Sequence, residues 1–324
     1  MLKQVMEIMD LLDRGTITGS QVVNRFSEYP YTVATSQTVQ GKDGFTDFVK
    51  IIIKGTEGKS SGGSVPTLSI IGRLGGIGAR PNHIGMVSDA DGAVTALSAA
   101  LKLSEMSIYQ DRLKGDVVIT THICPNAPVE PHKPVDFMGS PVDMEQMNQY
   151  EVIKEADAIL SIDTTKGNRF MTDKGFAISP TVKEGYILPV SMDLIEIMER
   201  TTGRSAKTFP LSIQDITPYS NNVFHINSIL QPSCATKSPV VGIAITTQTA
   251  VAGCATGASH EVDIEQAGRF AIEVAKAFSN QAVSFYDEDE YKRLLSLYGP
   301  MNLFQTDPGK SERVISSSFW SFRL

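Results

Sequence analysis

Residues 156–163 read ADAILSID, an almost unbroken run of small and aliphatic side chains that ends on a carboxylate. Residues 116–121, DVVITT, and residues 238–245, SPVVGIAI, have the same character. Short, nearly continuous apolar runs of this kind are typical of strands that are covered on both faces. The three segments therefore predict buried strands of a central, largely parallel sheet.

Amphipathic helices are predicted between these strands. Residues 91–105 read DGAVTALSAALKLSE and repeat apolar side chains at helical spacing, and residues 263–279 predict a second helix with the same period. Residues 31–56 alternate instead as two strands around a turn at 42–44. Strands that alternate with helices predict an α/β fold of three layers, in which a mixed, mostly parallel central sheet carries helices on both faces.

Composition and charge exclude several classes of protein. The 324 residues include 41% apolar and 20% charged side chains, with a formal net charge of −7. A chain with this apolar content is not expected to be disordered. No uncharged apolar window approaches the ~18 residues that a membrane-spanning helix needs. The basic residues are scattered along the sequence, which argues against nucleic acid as a partner. Three cysteines without framework spacing predict a cytoplasmic protein. We expect one domain over residues 1–310, with a tail at 311–324.

Polar side chains stand at the carboxyl ends of the predicted strands, which is where parallel sheets bind ligands. Arg73 follows one strand directly, His122 follows a second, and Asp163 closes a third. His260 comes after a glycine-rich loop that follows the last strand. Because the carboxyl ends of parallel strands meet at one edge of the sheet, we expect these side chains to share a crevice.

Two further carboxylates, Asp89 and Asp91, lie at the start of the helix predicted at 91–105. Such residues ordinarily cap a helix or interact with its dipole, although two acids are more than capping requires. Asp163 needs a cation, either a metal or Lys166, because an unpaired buried charge is costly. Two Asp and two His at strand ends form a credible ligand set for a divalent metal, while each His has the alternative of a structural role.

The stretch GRLGGIGAR at residues 72–80 matches neither a dinucleotide fingerprint nor a P-loop. Its glycines, Gly75 and Gly76 among them, indicate a close approach of the backbone to another group. We expect that group to be an anion whose charge is met by Arg73 or Arg80.

The identity of a nucleophile and of a general base stays open at the level of sequence. Cys124 lies two residues after His122, so the pair could touch on an extended strand, or Cys124 could be a small apolar thiol. Three residues are candidates for the base, namely His122, Asp91 and Glu184 in the PTVKEGY segment.

Nearly the whole chain resembles an uncharacterised bacterial family that is known only as a domain of unknown function. The segments that carry the resemblance include IIGRLGGIGARP, VSDADGA, THICPNAP, LSIDTTKGNR and GCATGASHEVDIE. This resemblance implies no reaction.

A more distant resemblance is to the co-catalytic metallo-aminopeptidases of the glutamyl and deblocking type. Asp89 before GAVTALSAALKL resembles the Asp that bridges two metals in that family, Asp163 in LSIDTT resembles its strand-end Asp, and His260 in ASHEVDIEQAGRF resembles its last His. The resemblance implies a zinc-exopeptidase-like fold with these three residues as ligands of a divalent metal, zinc first and manganese or cobalt as alternatives.

The sequence also departs from the aminopeptidase pattern. Arg73 stands at the position of the first metal-binding His, and the position of the paired Glu residues falls near Ile123 and Cys124. The insert domain of the family is reduced to about IGARPNHIGMVS. A guanidinium at the first ligand position would supply a fixed positive charge in place of part of the metal site.

These patterns predict a metal-dependent, hydrolase-like enzyme that acts on a small amide, peptide or modified amino acid. The alternative is a metal-free binding or sensor protein for a small anionic metabolite on the same scaffold. By analogy with the aminopeptidases we expect a homo-oligomer. The residues expected to act in catalysis are His122, Arg73, Glu184 and Asp91. Those expected to contact the substrate are Gly75, Gly76, Arg80 and Lys166.

Overall fold

The structure is a computed structural model in which the chain is described over residues 1–80, 85–131, 137–168, 171–219, 228–249 and 259–305. The predicted tail at 311–324 lies outside the described residues. The division of the chain into one domain and a tail therefore stays a prediction.

Helices and strands are numbered in chain order. The helices α1 to α7 span Leu2–Leu12, Gly19–Asn24, Asp91–Ile108, Met144–Glu151, Met192–Thr202, Glu261–Ser279 and Glu288–Tyr298. The strands β1 to β11 span Thr32–Gly41, Gly44–Ile53, Leu68–Gly72, Val117–Ile123, Val129–Glu130, Phe137–Met138, Ala158–Thr164, Gly175–Ile178, Val182–Lys183, Tyr186–Ile187 and Val240–Thr246.

A mixed sheet of nine strands forms the centre of the fold, in the order β1-β2-β4-β3-β7-β11-β9-β10 with β8 paired to β11. The four central strands, β4, β3, β7 and β11, are parallel to one another. The hairpin of β1 and β2 joins β4 in antiparallel fashion, and the short strands beside β11 are antiparallel as well. The predicted mixed sheet is confirmed, and its four central strands end at one edge.

Alternate side chains of the central strands enter two apolar cores on opposite faces of the sheet. Ile70 and Leu160 belong to the larger core, which they share with side chains of α1, α3, α5 and α6. Their sequence neighbours Ile71 and Ile159 belong to the other core, which includes Ile216 of a 3₁₀ turn. Burial on both faces explains why these strands are apolar throughout. The predicted three-layer arrangement is confirmed.

The two helices predicted from periodicity are α3 and α6. Helix α3 continues to Ile108, and α6 begins at Glu261 with His260 as its N-cap. Within the described part of the chain, no helix has both the length and the apolar character that crossing a membrane requires.

Close packing of two glycines seats α3 on the carboxyl edge of the sheet. A Cβ on Gly72, the last residue of β3, would lie 2.6 Å from the carbonyl oxygen of Gly92 near the start of α3. A Cβ on Gly92 would lie 2.7 Å from the carbonyl oxygen of Ile162 and 2.8 Å from that of Arg73. Because these obstacles are backbone atoms, they cannot rotate away. The contact places the acidic start of α3 against the ends of β3 and β7.

We expect Gly92→Ala to lower the free energy of unfolding by about 1–3 kcal/mol, the usual cost of forcing an extra carbon into a filled space. The better helix propensity of Ala offsets only part of this cost. The control is Gly139→Ala, because an added Cβ there meets no atom closer than 3.5 Å and the backbone φ lies outside the left-handed region. Urea unfolding of both variants provides the measurement. A Gly92→Ala protein as stable as the control would contradict the packing argument.

Candidate active site

A fully buried arginine marks the carboxyl end of β3. Arg73 Nη1 lies 2.5 Å from Glu151 Oε2 and 3.4 Å from Asn148 Oδ1, and its Nη2 contacts the sulfur of Met144. The three partners lie on α4 at spacings of four and three residues, so they share one face of that helix. Neither side chain of the Arg73–Glu151 ion pair is exposed to water.

Glu151 also holds the imidazole of His122 on β4. His122 Nδ1 lies 2.6 Å from Glu151 Oε1, while His122 Nε2 accepts a hydrogen bond from the Gly75 backbone N–H at 3.1 Å. Because Nε2 is the acceptor, the ring proton resides on Nδ1 and is donated to Glu151. Both ring nitrogens are engaged by the protein, so the geometry makes His122 a support for Glu151 and for the loop after β3.

The protonation of Glu151 follows from this arrangement. Burial by itself raises the pKa of the Glu151 carboxyl. The positive charge of Arg73 and the hydrogen bond from His122 outweigh burial and hold the Glu151 pKa below its usual value. Glu151 is therefore ionised at neutral pH and balances the charge of Arg73.

Asp163 at the end of β7 is equally buried but lacks a directly bonded cation among the described residues. Its Oδ1 accepts a hydrogen bond from the Thr164 N–H at 2.7 Å, and its Oδ2 accepts one from Ser228 Oγ at 2.5 Å. Burial raises the pKa of Asp163 to about 6, although the hydrogen bond from Ser228 and the nearby charge of Arg73 both act to lower it. The cation that acts on Asp163 is thus Arg73, and not Lys166 as one sequence alternative proposed.

Lys166 is paired with Asp91 instead. Lys166 Nζ lies 2.9 Å from Asp91 Oδ2, and Ser259 Oγ donates to Asp91 Oδ1 at 2.5 Å. Asp91 is fully buried and the Lys166 side chain is 4% exposed. Burial raises the pKa of Asp91, and Lys166 and Ser259 oppose that rise. Asp91 is the first residue of α3, but its side chain is used for this network and does not cap the helix.

The glycines after β3 lie against the protein itself. A Cβ on Gly75 would lie 1.5 Å from the carbonyl oxygen of His122, and a Cβ on Gly76 would lie 2.8 Å from Asp89 Oδ2. Asp89 is buried in the 3₁₀ turn Ser88–Ala90. The close backbone approach predicted for Gly75 and Gly76 is therefore an approach to two predicted site residues. Gly75 lies against His122, and Gly76 lies against Asp89.

Two predicted residues lie away from this cluster. Arg80 donates from Nη1 to the Pro125 carbonyl oxygen at 3.0 Å, and its Nη2 lies 3.4 Å from Asp13. Glu184 lies two residues after Val182, which pairs with Val240, the first residue of β11. Glu184 therefore lies toward the amino end of that strand. There it accepts a hydrogen bond from the hydroxyl of a tyrosine in α7 at 2.8 Å.

The residues expected to bind a metal all belong to the carboxyl edge of the sheet, where Thr164 Oγ1, next to Asp163, donates to the carbonyl oxygen of Ser88, next to Asp89. Asp163 faces the charge of Arg73, whereas the exposed His260 acts on the pKa values of Asp91 and Asp263. Throughout the described ranges, no three or more His, Cys, Asp and Glu side chains are grouped so as to hold a metal ion.

Cys124 is buried, with Sγ 3.8 Å from the Phe45 carbonyl oxygen. Burial raises the pKa of the Cys124 thiol to about 11, so the thiol is protonated at neutral pH and is a poor nucleophile. Of the two sequence alternatives, the geometry supports the apolar thiol.

Sequence reasoning missed Glu151, Ser228, Ser259 and Tyr219. The charges of Asp163 and Arg73 both act on the pKa of the Tyr219 phenol, which burial raises. For Glu151 a signal existed, because it shares a helix face with Met144 and Asn148. The spacing of these three residues does not by itself show whether the Glu side chain is buried or exposed to solvent.

Comparisons with known proteins agree with this architecture. Residues 37–308 match the family described as "Protein of unknown function (DUF1177)". No curated protein matches the sequence significantly. The fold is similar to that of the bottromycin maturation enzyme BotP, with a TM-score of 0.50 and 15% identity over 86% of this chain and 69% of that one.

The fold is also similar to that of a glutaminyl cyclase from an Acidobacteriales bacterium, with a TM-score of 0.50 and 12% identity over 86% of this chain and 94% of that one. An aminopeptidase LapA from Legionella pneumophila aligns with a TM-score of 0.47 and 11% identity, over 88% of this chain and 71% of that one. At these identities the likeness to the maturation enzyme and to the cyclase shows the fold alone, and it agrees with the predicted α/β architecture.

We expect Glu151→Gln to lower the free energy of unfolding by about 3–5 kcal/mol, because the substitution leaves the buried charge of Arg73 uncompensated. Urea unfolding provides the measurement. In the control, Glu288→Gln, the partner is the exposed Lys292 at 3.0 Å, and we expect the unfolding midpoint to stay within error of the wild type. An unchanged midpoint for Glu151→Gln would refute the role of the ion pair.

Asp163 should make stability depend on pH. Its pKa is about 6 in the folded protein and lies at the ordinary value of 3.8 when unfolded. The folded state therefore binds the proton more tightly, so this stabilisation is present below pH 4 and is lost as pH rises through 6. Between pH 4 and pH 7 we expect the free energy of unfolding of the wild type to fall by about 2–3 kcal/mol relative to that of Asp163→Asn. A difference in unfolding free energy that stays constant with pH would contradict this assignment.

Proposed function

Given that this chain belongs to the family described as "Protein of unknown function (DUF1177)", we propose that it is a hydrolase-like enzyme that acts on a small amide, peptide or modified amino acid. The substrate binds at the carboxyl edge of the sheet, beside Arg73, Asp163 and Asp91. The two solved structures of similar fold are named a maturation enzyme and a glutaminyl cyclase, which supports an enzymatic use of this scaffold.

The observation that carries the proposal is the Nε–H of Arg73. Arg73 is completely buried, yet across the described residues this N–H has no hydrogen-bond acceptor. A buried donor without a partner costs free energy unless a ligand satisfies it. A carboxylate or carbonyl oxygen of the substrate would accept this bond and would meet the fixed charge of the guanidinium.

The same charge can stabilise a reaction. As a carbonyl is attacked, negative charge develops on its oxygen, and a preorganised cation in a water-poor site lowers the barrier to that step. Asp163, with a pKa of about 6 and within the field of Arg73, can exchange a proton near neutral pH. Arg73 would thus bind the oxygen, and Asp163 would be a group beside it that can take up or release a proton.

The metal predicted from the aminopeptidase resemblance is not needed for these roles. Its expected ligands Asp89, Asp163 and His260 do not form one group in the described part of the structure. A metal-dependent hydrolase and a metal-free binding protein are the competing functions, and the experiment below separates them. The proposal includes a cytoplasmic homo-oligomer that acts on a small molecule, with neither nucleic acid nor membrane as partner.

Turnover of N-acyl amino acids, dipeptides and amino-acid amides tests the proposal, in protein dialysed against a chelator and in protein supplied with Zn²⁺, Mn²⁺ or Co²⁺. We expect turnover to survive the chelator. Arg73→Lys keeps a charge for Glu151 but lacks the Nε–H, so kcat/KM should fall about 100-fold. Circular dichroism and the melting temperature verify that the variant folds.

Arg80→Lys is the matched control, because Arg80 belongs to the same loop but bonds to Asp13 and Pro125. We expect its kcat/KM to equal that of wild type. Loss of turnover on chelation with recovery on adding Zn²⁺ would establish the metal-dependent alternative. A shift in melting temperature without turnover of any compound would establish the binding protein.

A further inference from the structure

Ser259, Asp91 and Lys166 form a hydrogen-bonded chain at the carboxyl edge. Ser259 Oγ donates to Asp91 Oδ1 at 2.5 Å, and Lys166 Nζ donates to Asp91 Oδ2 at 2.9 Å. A hydroxyl bonded to a base, with that base oriented by a third group, is the arrangement that activates a nucleophile. We infer that Ser259 is the nucleophile of the proposed hydrolase and forms an acyl-enzyme, an inference that rests on the proposed function.

The exposure of the three side chains suits these roles. Asp91 is completely buried and the Lys166 side chain is 4% exposed, so both are held in place. Ser259 is partly exposed, in contrast to its two partners. A nucleophile needs a base that is fixed in place, and the burial of Asp91 meets that requirement.

The surroundings of Ser259 supply a second element. The 19-residue helix α6 begins at Glu261, two residues after Ser259, with His260 as its N-cap. The amino end of a helix carries a partial positive charge and directs backbone N–H groups outward. Asp263 N–H and Ile264 N–H already donate to the His260 carbonyl oxygen. What the start of α6 offers next to Ser259 in the chain is therefore its partial positive charge, which would favour the negative charge that develops during the attack.

The proposed reaction begins with attack by Ser259. The Ser259 oxygen forms a bond to the carbonyl carbon, its proton passes to Asp91 Oδ1, and the electron pair of the C=O bond moves to the carbonyl oxygen. When that pair returns, the C–N bond breaks and the amine leaves with the proton from Asp91. Water then attacks the acyl-serine and gives a proton to Asp91, which returns it to Ser259 as the acid departs. Lys166 orients Asp91 throughout.

An alkyl fluorophosphonate tests the nucleophile without knowledge of the substrate. The probe forms an Oγ–P bond with an activated serine, loses fluoride, and leaves the proton on the base. We expect one adduct per chain, located at Ser259 by mass spectrometry and lost in Ser259→Ala. Asp91→Asn should slow labelling at least about 100-fold. Lys166→Met should slow it as well, and Lys166→Arg should restore it.

Ser238→Ala is the control, because Ser238 precedes β11 at the opposite edge of the sheet and donates to the Ala156 carbonyl oxygen. Its labelling should equal that of wild type. Ser259→Ala is the decisive variant, since it removes one oxygen from a partly exposed position and leaves the Asp91–Lys166 pair intact. Circular dichroism establishes that each variant folds.

The outcomes separate this inference from the proposed function. If Ser259→Ala hydrolyses the substrate panel at the wild-type rate, or if Ser259 stays unlabelled while the probe remains intact, the nucleophile is overturned and the hydrolase stands. If Ser259 is labelled at once but no panel compound is hydrolysed, the nucleophile stands and the proposed substrate class is overturned.

Discussion

A permanently charged guanidinium without access to water requires a counter-charge in direct contact, and the site depends on how Arg73 meets that requirement. Glu151 supplies the charge, which draws α4 against the end of β3. The second oxygen of Glu151 then selects the Nδ1–H form of His122, and the free Nε2 of that ring anchors Gly75. One ion pair thus organises a helix, a strand and the loop after β3. It also leaves the Arg73 Nε–H as a donor that the described residues do not use.

Three buried carboxyl groups at this edge differ in protonation because their partners differ. Arg73 and His122 overcome burial at Glu151, which is therefore a fixed anion. Lys166 and Ser259 only oppose the effect of burial at Asp91, and Asp163 relies on neutral hydrogen bonds and the more distant charge of Arg73. Equal burial thus yields one structural anion, Glu151, and two carboxyl groups whose pKa values are raised, that of Asp163 to about 6.

The exopeptidase-like fold brings the start of α3 and the ends of β3 and β7 to one place, whatever chemistry they perform. At the position that resembles the first metal ligand of the aminopeptidases, this chain has Arg73. A guanidinium and a metal both offer positive charge to a carbonyl oxygen, but the guanidinium needs a carboxylate of its own and cannot ionise a water molecule by coordination. The proposed use of Arg73 in place of a metal therefore requires a different source of the nucleophile, and Ser259 beside Asp91 would supply it.

The sequence by itself determined the α/β fold and the edge of the sheet at which Arg73, His122 and Asp163 meet. Apolar periodicity is a local property of the chain, and parallel strands necessarily end together. Only the tertiary structure decided which carboxylate meets which cation. Glu151 lies 78 residues from Arg73, and Ser259 lies 168 residues from Asp91. No local pattern records such pairs, because they form only when packing removes water and brings together side chains that are distant in the sequence.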